Sequence, residues 1–192
     1  MRTLILASTS KYRRELLARL ALPFEAAAPG VDETPIAGEP PAERAARLAT
    51  AKARSIRAAD AVVIGSDQVA SLDGAILRKP GASAAALRQL EAAQGKTVLF
   101  HTAVTVRDSA GGAEWSHVDH TSVRFGRLPT AALERYLAID EPFDCAGSFK
   151  SEGLGVALFE RIESTDPTAL IGLPLIWLAA TLRSAGFDPL AA

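Results

Sequence analysis

The chain contains a single cysteine, Cys145, among 192 residues, so no internal disulfide can form and a reducing compartment suits it. Charge of one sign is also lacking. A formal net charge of −1 provides no global attraction to nucleic acid or to a membrane surface, so any anion-binding role must rest on local clustering. No stretch reaches the roughly 20 apolar residues of a spanning helix. The nearest, ALIGLPLIWLAATL at 169–182, is interrupted by Pro174. The opening MRTLILAS is too short for a signal-peptide core, and these absences together predict a cytoplasmic protein. Neither G-x-x-x-x-G-K-[ST] nor G-x-G-x-x-G after a strand occurs, which removes support for P-loop and dinucleotide sites. There is no internal repeat or low-complexity tract, so residues 1–192 read as one domain.

What is present is an ordinary globular composition, 48% apolar and 22% charged, at a length that buries a sizeable core. Residues 3–7 read as a strand running into a helix with Leu16, Leu17 and Leu20 on one face, capped by Ser8 or Ser10. Residues 22–40 read as loop with a short extended FEAAAP, and an alanine- and arginine-rich helix follows from Pro41. AVVIGSD at 61–67 predicts a buried strand ending in a carboxylate, and Asp73-Gly74 between apolar arms predicts a two-residue hairpin turn. A helix over SAAALRQLEAAQG follows, with Gly95 at its C-terminus, and then two long alternating strands, TVLFHTAVTVRD and EWSHVDHTSVRF. PTAALERYLAI predicts a helix with proline at its start, VALFERIE a strand, and LPLIWLAATLRSAG the closing helix. The interleaving predicts an α/β protein with an extended mixed β-sheet, flanking helices and two lobes around a central cleft.

Ligands of open α/β sheets lie beyond the C-terminal ends of strands, and two such ends are distinctive here. The first is Ala7-Ser8-Thr9-Ser10, after which Arg13 and Arg14 stand in the first helical turn. Cations there oppose the helix dipole by roughly 0.3–1 kcal/mol each. A bound anion would reverse the sign of that interaction, because serine hydroxyls, free N–H groups and both guanidiniums can all hold a polyphosphate. A capped helix with solvated arginines fits the same turn equally well. The second is Ser66-Asp67-Gln68, where Asp67 either caps a turn or acts on a ligand. Taken singly, Lys52 and Lys79 read as surface lysines. Asp32-Glu33 adds two loop carboxylates, and carboxylates beside phosphates are the materials of a Mg²⁺ or Mn²⁺ site, although an Asx turn explains them too. The histidines of HVDH at 117–120 face opposite sides of a strand and cannot readily share one ion. Cys145 has no obvious histidine partner and reads as a free buried thiol, and Trp115 and Trp177 read as packing residues.

The strings ASTSKYRRELL, VDETP, IGSDQVASLDGAILRKPG, GKTVLFHTAV, CAGSFKSEG and LIGLPL resemble, in order and over essentially the whole chain, the Maf family of nucleoside triphosphate pyrophosphatases. SDQV with CAGSFKSEG resembles the branch that acts on 7-methyl-GTP. The branch acting on dTTP and UTP has threonine after the key aspartate and glutamine at the position of Glu152. The resemblance implies an α/β fold with a deep cleft, often dimeric, and cleavage between the α- and β-phosphates with a divalent cation, Mg²⁺, Mn²⁺ or Co²⁺. It makes Asp67 the catalytic acid/base and Ser8, Arg13 and Lys79 phosphate contacts, with Ser10 and Arg14 beside them in the same turn. Lys52 and Glu33 become further cleft residues, with Glu33 and Asp67 the candidate metal ligands. Tyr12, Gln68 and Glu152 are the positions implied in base choice. Members of that branch carry tryptophan where this chain has Tyr12, a weaker π platform, which softens the expected preference for the methylated base. The expected partner is a small-molecule nucleotide, not nucleic acid or membrane. Two other expectations stand beside this one: a dTTP/UTP pyrophosphatase, and a nucleotide-binding regulator of septum formation with negligible turnover.

Overall fold

The computed structural model describes residues 2–191. Strand β1 (Thr3–Ala7) lies parallel to both β2 (Glu25–Ala27) and β3 (Ala61–Leu72). β4 (Ala75–Leu77) folds back on the end of β3. β5 (Thr97–Asp108), β6 (Glu114–Phe125) and β7 (Phe159–Ser164) extend the sheet antiparallel, giving the order β2-β1-β3-β5-β6-β7. Among the described residues five α-helices flank it: α1 (Lys11–Ala18), α2 (Pro41–Ser55), α3 (Ser83–Ala93), α4 (Thr130–Asp140) and α5 (Leu175–Ser184). This is the mixed-sheet α/β architecture that the interleaved pattern predicts. The β3–β4 turn forms as expected, with Asp73 and Gly74 both at positive φ, 51° and 84°, as a type I′ connection requires.

One face of the sheet explains the two lobes. Val62 and Ile64 of β3 join Val104 and Val106 of β5 in a core closed by α1 and α5. Ala70 and Leu72 join Val98 and Phe100 in a second core closed by α3 and α4. Between the two, on the same face, stand polar residues: Ser66 and Gln68 on β3, Thr102 on β5, and Asp119 and Thr121 on β6. The incoming segment 164–172 meets this belt, through Ser164 on Thr121, Thr165 on Asp119 Oδ2, and the carbonyls of Ala169, Leu170 and Gly172 on Thr102, Gln68 and Ser66, while Asp119 Oδ1 is left buried without a partner among the described residues. The opposite face takes α2, whose Ala45 and Ala49 lie on Val69 and Ala103.

Two boundaries differ from the sequence reading. β3 does not stop near Asp67; it continues to Leu72, so Asp67 stands in mid-strand. β7 begins at Phe159, because residues 154–158 are wound into 3-10 turns where Gly155 packs against the Lys150 backbone. The histidines behave as the alternation implies: His117 stacks on Trp177, while His120 faces the other side and pairs with His101, Nδ1 to Nδ1 at 2.9 Å.

Arg2, just before β1, pairs with Asp108 at the end of β5 and donates to the Ala185 carbonyl at 2.9 Å. The Arg2 hydrogen bond, with the N–H groups of Gly111 and Ala110, pulls the Asp108 carboxyl down to about 2. A depressed carboxyl stabilises the fold above its unfolded value, near 4, and that contribution is lost as pH falls through about 2. Arg2→Met is therefore expected to lower the melting temperature at pH 6. Thermal scans from pH 7 to pH 2 should show the gap to wild type closing at the acid end, and a gap constant with pH would contradict the pairing.

Candidate active site

The site is assembled where the polar belt meets the α1 turn. Ser10 caps α1, its hydroxyl accepting from the Arg13 N–H at 3.4 Å, and the buried Ser8 hydroxyl accepts from the Ser10 N–H at 3.1 Å. Arg13 turns inward: its Nε donates to the Gly172 carbonyl at 3.0 Å, an oxygen that Ser66 Oγ also engages at 3.1 Å. Burial pulls the Arg13 guanidinium below its ordinary value, against the opposing pull of Asp67 and Glu33. Arg14 is exposed and lies outside the cleft lining, so of the two arginines in the first turn only Arg13 reaches the site.

Asp67 lies on the α2 side of β3. Lys52 reads as a surface lysine from its alanine-rich context, yet it is 6% exposed. Its ammonium donates to Asp67 Oδ1 at 2.6 Å and lies 2.8 Å from Glu33 Oε1. The small residues of α2 make this possible, because Ala45, Ala49 and Ala53 let the helix lie close enough for the lysine stem to cross to the strand. The Glu33 loop is strapped to α2 by Arg44 on the Glu33 carbonyl and by Arg47 on Glu39. Burial would raise the Glu33 carboxyl, but the hydrogen bond and charge of Lys52, with Lys79 and Arg13 behind it, hold it below the usual range. Asp32 does form an Asx turn, accepting from the Thr34 N–H and hydroxyl.

These side chains open on a cleft of about 710 Å³. Ser8, Ser10, Arg13, Glu33, Lys52, Asp67 and Lys79 line it together with Tyr12, Gln68 and Glu152. Charged lining residues that the sequence reading passed over are Lys11, Arg44, Arg78 and Asp144, and Cys145, read there as a free buried thiol, lines the cleft as well. The charges divide by location. Glu33 responds to Lys52, Lys79 and Arg13. At Tyr12, burial, then the Cys145 thiol and the carboxylates of Asp144 and Glu152, push the phenol above its ordinary value. The Tyr12 hydroxyl is buried without a hydrogen-bond partner among the described residues, and the Lys11 ammonium stands 4.8 Å from its ring centre. Cys145 is free and half-buried at the cleft wall, its thiol pushed up to about 12 by burial and by the carboxylate of Asp144. Gln68 uses its amide N–H groups within the fold, on Thr102 Oγ1 and the carbonyls of Ala169 and Leu170.

Among the described residues no three His, Cys, Asp or Glu side chains form a ready-made metal cage. Glu33 and Asp67 nevertheless face each other across one ammonium. That donor set suits a hard cation held by one or two carboxylates and completed by substrate phosphates. No helix of the described residues is long and apolar enough to cross a membrane.

A cationic wall beside a buried, ammonium-bound carboxylate is an arrangement suited to enzymes that cleave phosphoanhydrides. The chain belongs to the Maf family, since the family described as Maf-like protein matches residues 3–185. It is 54% identical to the 7-methyl-GTP pyrophosphatase of Paraburkholderia xenovorans over 98% of this chain and 95% of that one. It is likewise 54% identical to the protein of that name from Cupriavidus metallidurans, over 96% and 94% of the two chains. The Albidiferax ferrireducens protein of the same name is 52% identical over 100% and 97%. Among solved structures, a HAM1 protein from Coxiella burnetii aligns with a TM-score of 0.45 at 15% identity, over 67% and 75% of the two chains.

Proposed function

We propose that this chain hydrolyses 7-methyl-GTP to 7-methyl-GMP and diphosphate, withdrawing a modified nucleotide from the pool. The observation that carries the reading is the Glu33–Lys52–Asp67 group opening on a cleft lined by Arg13 and Lys79. The relatives at 52–54% identity, all named for that reaction, support the choice of substrate.

In this mechanism Asp67 accepts a proton from the water that attacks the α-phosphorus, in line with departing diphosphate. Lys52 donates to Asp67 Oδ1, which fixes the orientation of the carboxylate and leaves Oδ2 to the attacking water. Arg13, fixed by the Gly172 carbonyl, and Lys79 meet the charge developing on the bridging oxygen. A divalent cation, Mg²⁺, Mn²⁺ or Co²⁺, would be held by Glu33 and Asp67 and would neutralise phosphate charge there. Ser8 and Ser10 offer the turn at the α1 N-terminus to the phosphates.

The base lies against Tyr12. 7-Methylguanine is a cation, worth roughly 0.5–2 kcal/mol on an aromatic face, and the Tyr12 ring already carries the Lys11 ammonium on one face. Glu152 accepts from the ring N–H and exocyclic amine of guanine, a charge-assisted contact that a pyrimidine cannot reproduce.

A turnover panel of 7-methyl-GTP, GTP, dTTP and UTP with each cation tests the reading, following monophosphate and diphosphate together. Selective hydrolysis of 7-methyl-GTP is expected. In Glu152→Gln, kcat/KM for 7-methyl-GTP should fall roughly ten- to a hundredfold, the loss of a hydrogen bond to a charged group, with UTP little changed. Pyrimidine preference in the wild type would overturn the specificity and keep the reaction, whereas binding of all four without turnover would favour a regulator.

A further inference from the structure

The two ends of the sheet are unequal. β2 spans three residues, whereas β7 spans six and has only β6 beside it among the described residues. Every residue from Glu160 to Ser164 is exposed, Ile162 at 42%. The outer edge of such a strand carries unpaired N–H and C=O groups that can pair with another strand. Val156 and Leu154, exposed in the turns that lead into β7, add apolar surface at its start. Residues 159–164 lie outside the cleft lining, so a partner on this edge leaves the cleft open.

Charges ordinarily blunt an edge strand. Those of β7 are self-complementary in one register. Directly opposite residues of an antiparallel pair share a face of the sheet, where opposite charges stabilise the ladder and like charges weaken it. With a two-fold axis at Ile162, Arg161 stands opposite the partner's Glu163, and Glu163 opposite the partner's Arg161. Ile162 then meets its own copy, and Glu160 meets the uncharged Ser164 of the partner subunit. Moving the axis by one residue sets Arg161 against Arg161 or Glu163 against Glu163. Within the chain, Arg161 Nε lies 3.2 Å from Glu163 Oε1, and Ser122 Oγ donates to Glu163 Oε2 at 3.1 Å. A guanidinium has five N–H donors, enough for its own carboxylate and the partner's.

We infer that β7 is a dimer interface, on which a second copy of this chain lays its own β7 antiparallel about Ile162 and joins the two sheets into one. The inference is independent of the reading of the cleft. Six residues of edge make less than a standard interface, so the dimer is weak, with a Kd on the order of 10 μM.

Sedimentation velocity from about 1 μM to about 1 mM should show the wild-type protein passing from monomer to dimer. Arg161→Glu and Glu163→Arg should each weaken self-association at least about tenfold, because each sets two like-charge pairs across the ladder. Both side chains are more than half exposed, at 68% and 60%, so each variant should melt close to wild type. Mixed one to one, the two variants should form a heterodimer within about threefold of wild-type affinity, since every cross-strand pair is again of opposite sign. The double variant Arg161→Glu/Glu163→Arg should recover the homodimer for the same reason. A wild-type protein that stays monomeric up to about 1 mM would overturn the inference. A dimer that both reversals leave intact would also overturn it, as would a mixture that stays monomeric, because the contact would then lie on another surface or in another register.

Discussion

Asp67→Asn is expected to lower kcat by roughly 10²–10⁴, the range that positioned general bases contribute, while nucleotide affinity stays within a few-fold of wild type. The substitution conserves volume, and its Oδ1 still accepts from Lys52, which keeps Glu33 at 2.8 Å as a second anionic partner. The fold therefore retains its contacts, and the lysine is not left as an unpaired buried charge. Removal of one negative charge beside a polyanion should, if anything, tighten the ground-state complex. A fall in kcat with KM unchanged or lower is the signature of an interaction made only in the transition state. Single-turnover kinetics together with calorimetric binding of the uncleaved nucleotide separate these effects. A variant within tenfold of wild-type kcat would remove Asp67 from the role of base and make Glu33 the next candidate.

The parts of the fold that were legible in the sequence are those with an uninterrupted period. β5 and β6 alternate cleanly, Asp73-Gly74 announces its turn, and α2 shows its apolar face through Ala45, Leu48 and Ala49. β3 misleads because Ser66-Asp67-Gln68 interrupts an apolar run and reads as a strand end. The strand tolerates Ser66 and Gln68 at its centre because segment 164–172, a hundred residues later, brings carbonyls to meet them, and Asp67 on the other face because Lys52 of α2 reaches it. The candidate site was legible as a set of residue types and not as a geometry. Arg13 and Arg14 look alike in sequence; a backbone carbonyl at Gly172 distinguishes them, and no side-chain motif records it. Lys52 looked exposed because lysines rarely lie buried unless paired. Its partners lie fifteen residues ahead and nineteen behind, on other elements, so the pairing appears only once α2 is laid on β3. Arg44 and Lys11, by contrast, had no signal beyond their charge.

The contact that creates this geometry is Gly65. An added Cβ there would stand 2.2 Å from the Ala49 carbonyl oxygen and 2.4 Å from the Ala53 nitrogen, both backbone atoms of α2 that no rotamer change can move. Gly65→Ala must therefore push the helix off the strand by roughly 1 Å, and an overpacked core costs about 1–3 kcal/mol or more even when flexible side chains absorb the insertion. The expected loss is at least the upper part of that range, read as a lower urea midpoint. The same displacement carries Lys52, which lies one turn from Ala49, away from Asp67 two residues beyond Gly65. A misplacement of that size costs up to about a hundredfold in rate, so kcat should fall along with stability in the fraction that remains folded. Gly126→Ala is the matched control, since its Cβ would meet nothing nearer than 3.6 Å and its stability should stay within about 0.5 kcal/mol of wild type. If Gly65→Ala were as stable and as active as Gly126→Ala, α2 would have slack against β3, and the Lys52–Asp67 distance would not depend on helix packing. If it unfolds more readily and the surviving protein is slow, a residue without a side chain is what allows the lysine and the carboxylate to meet.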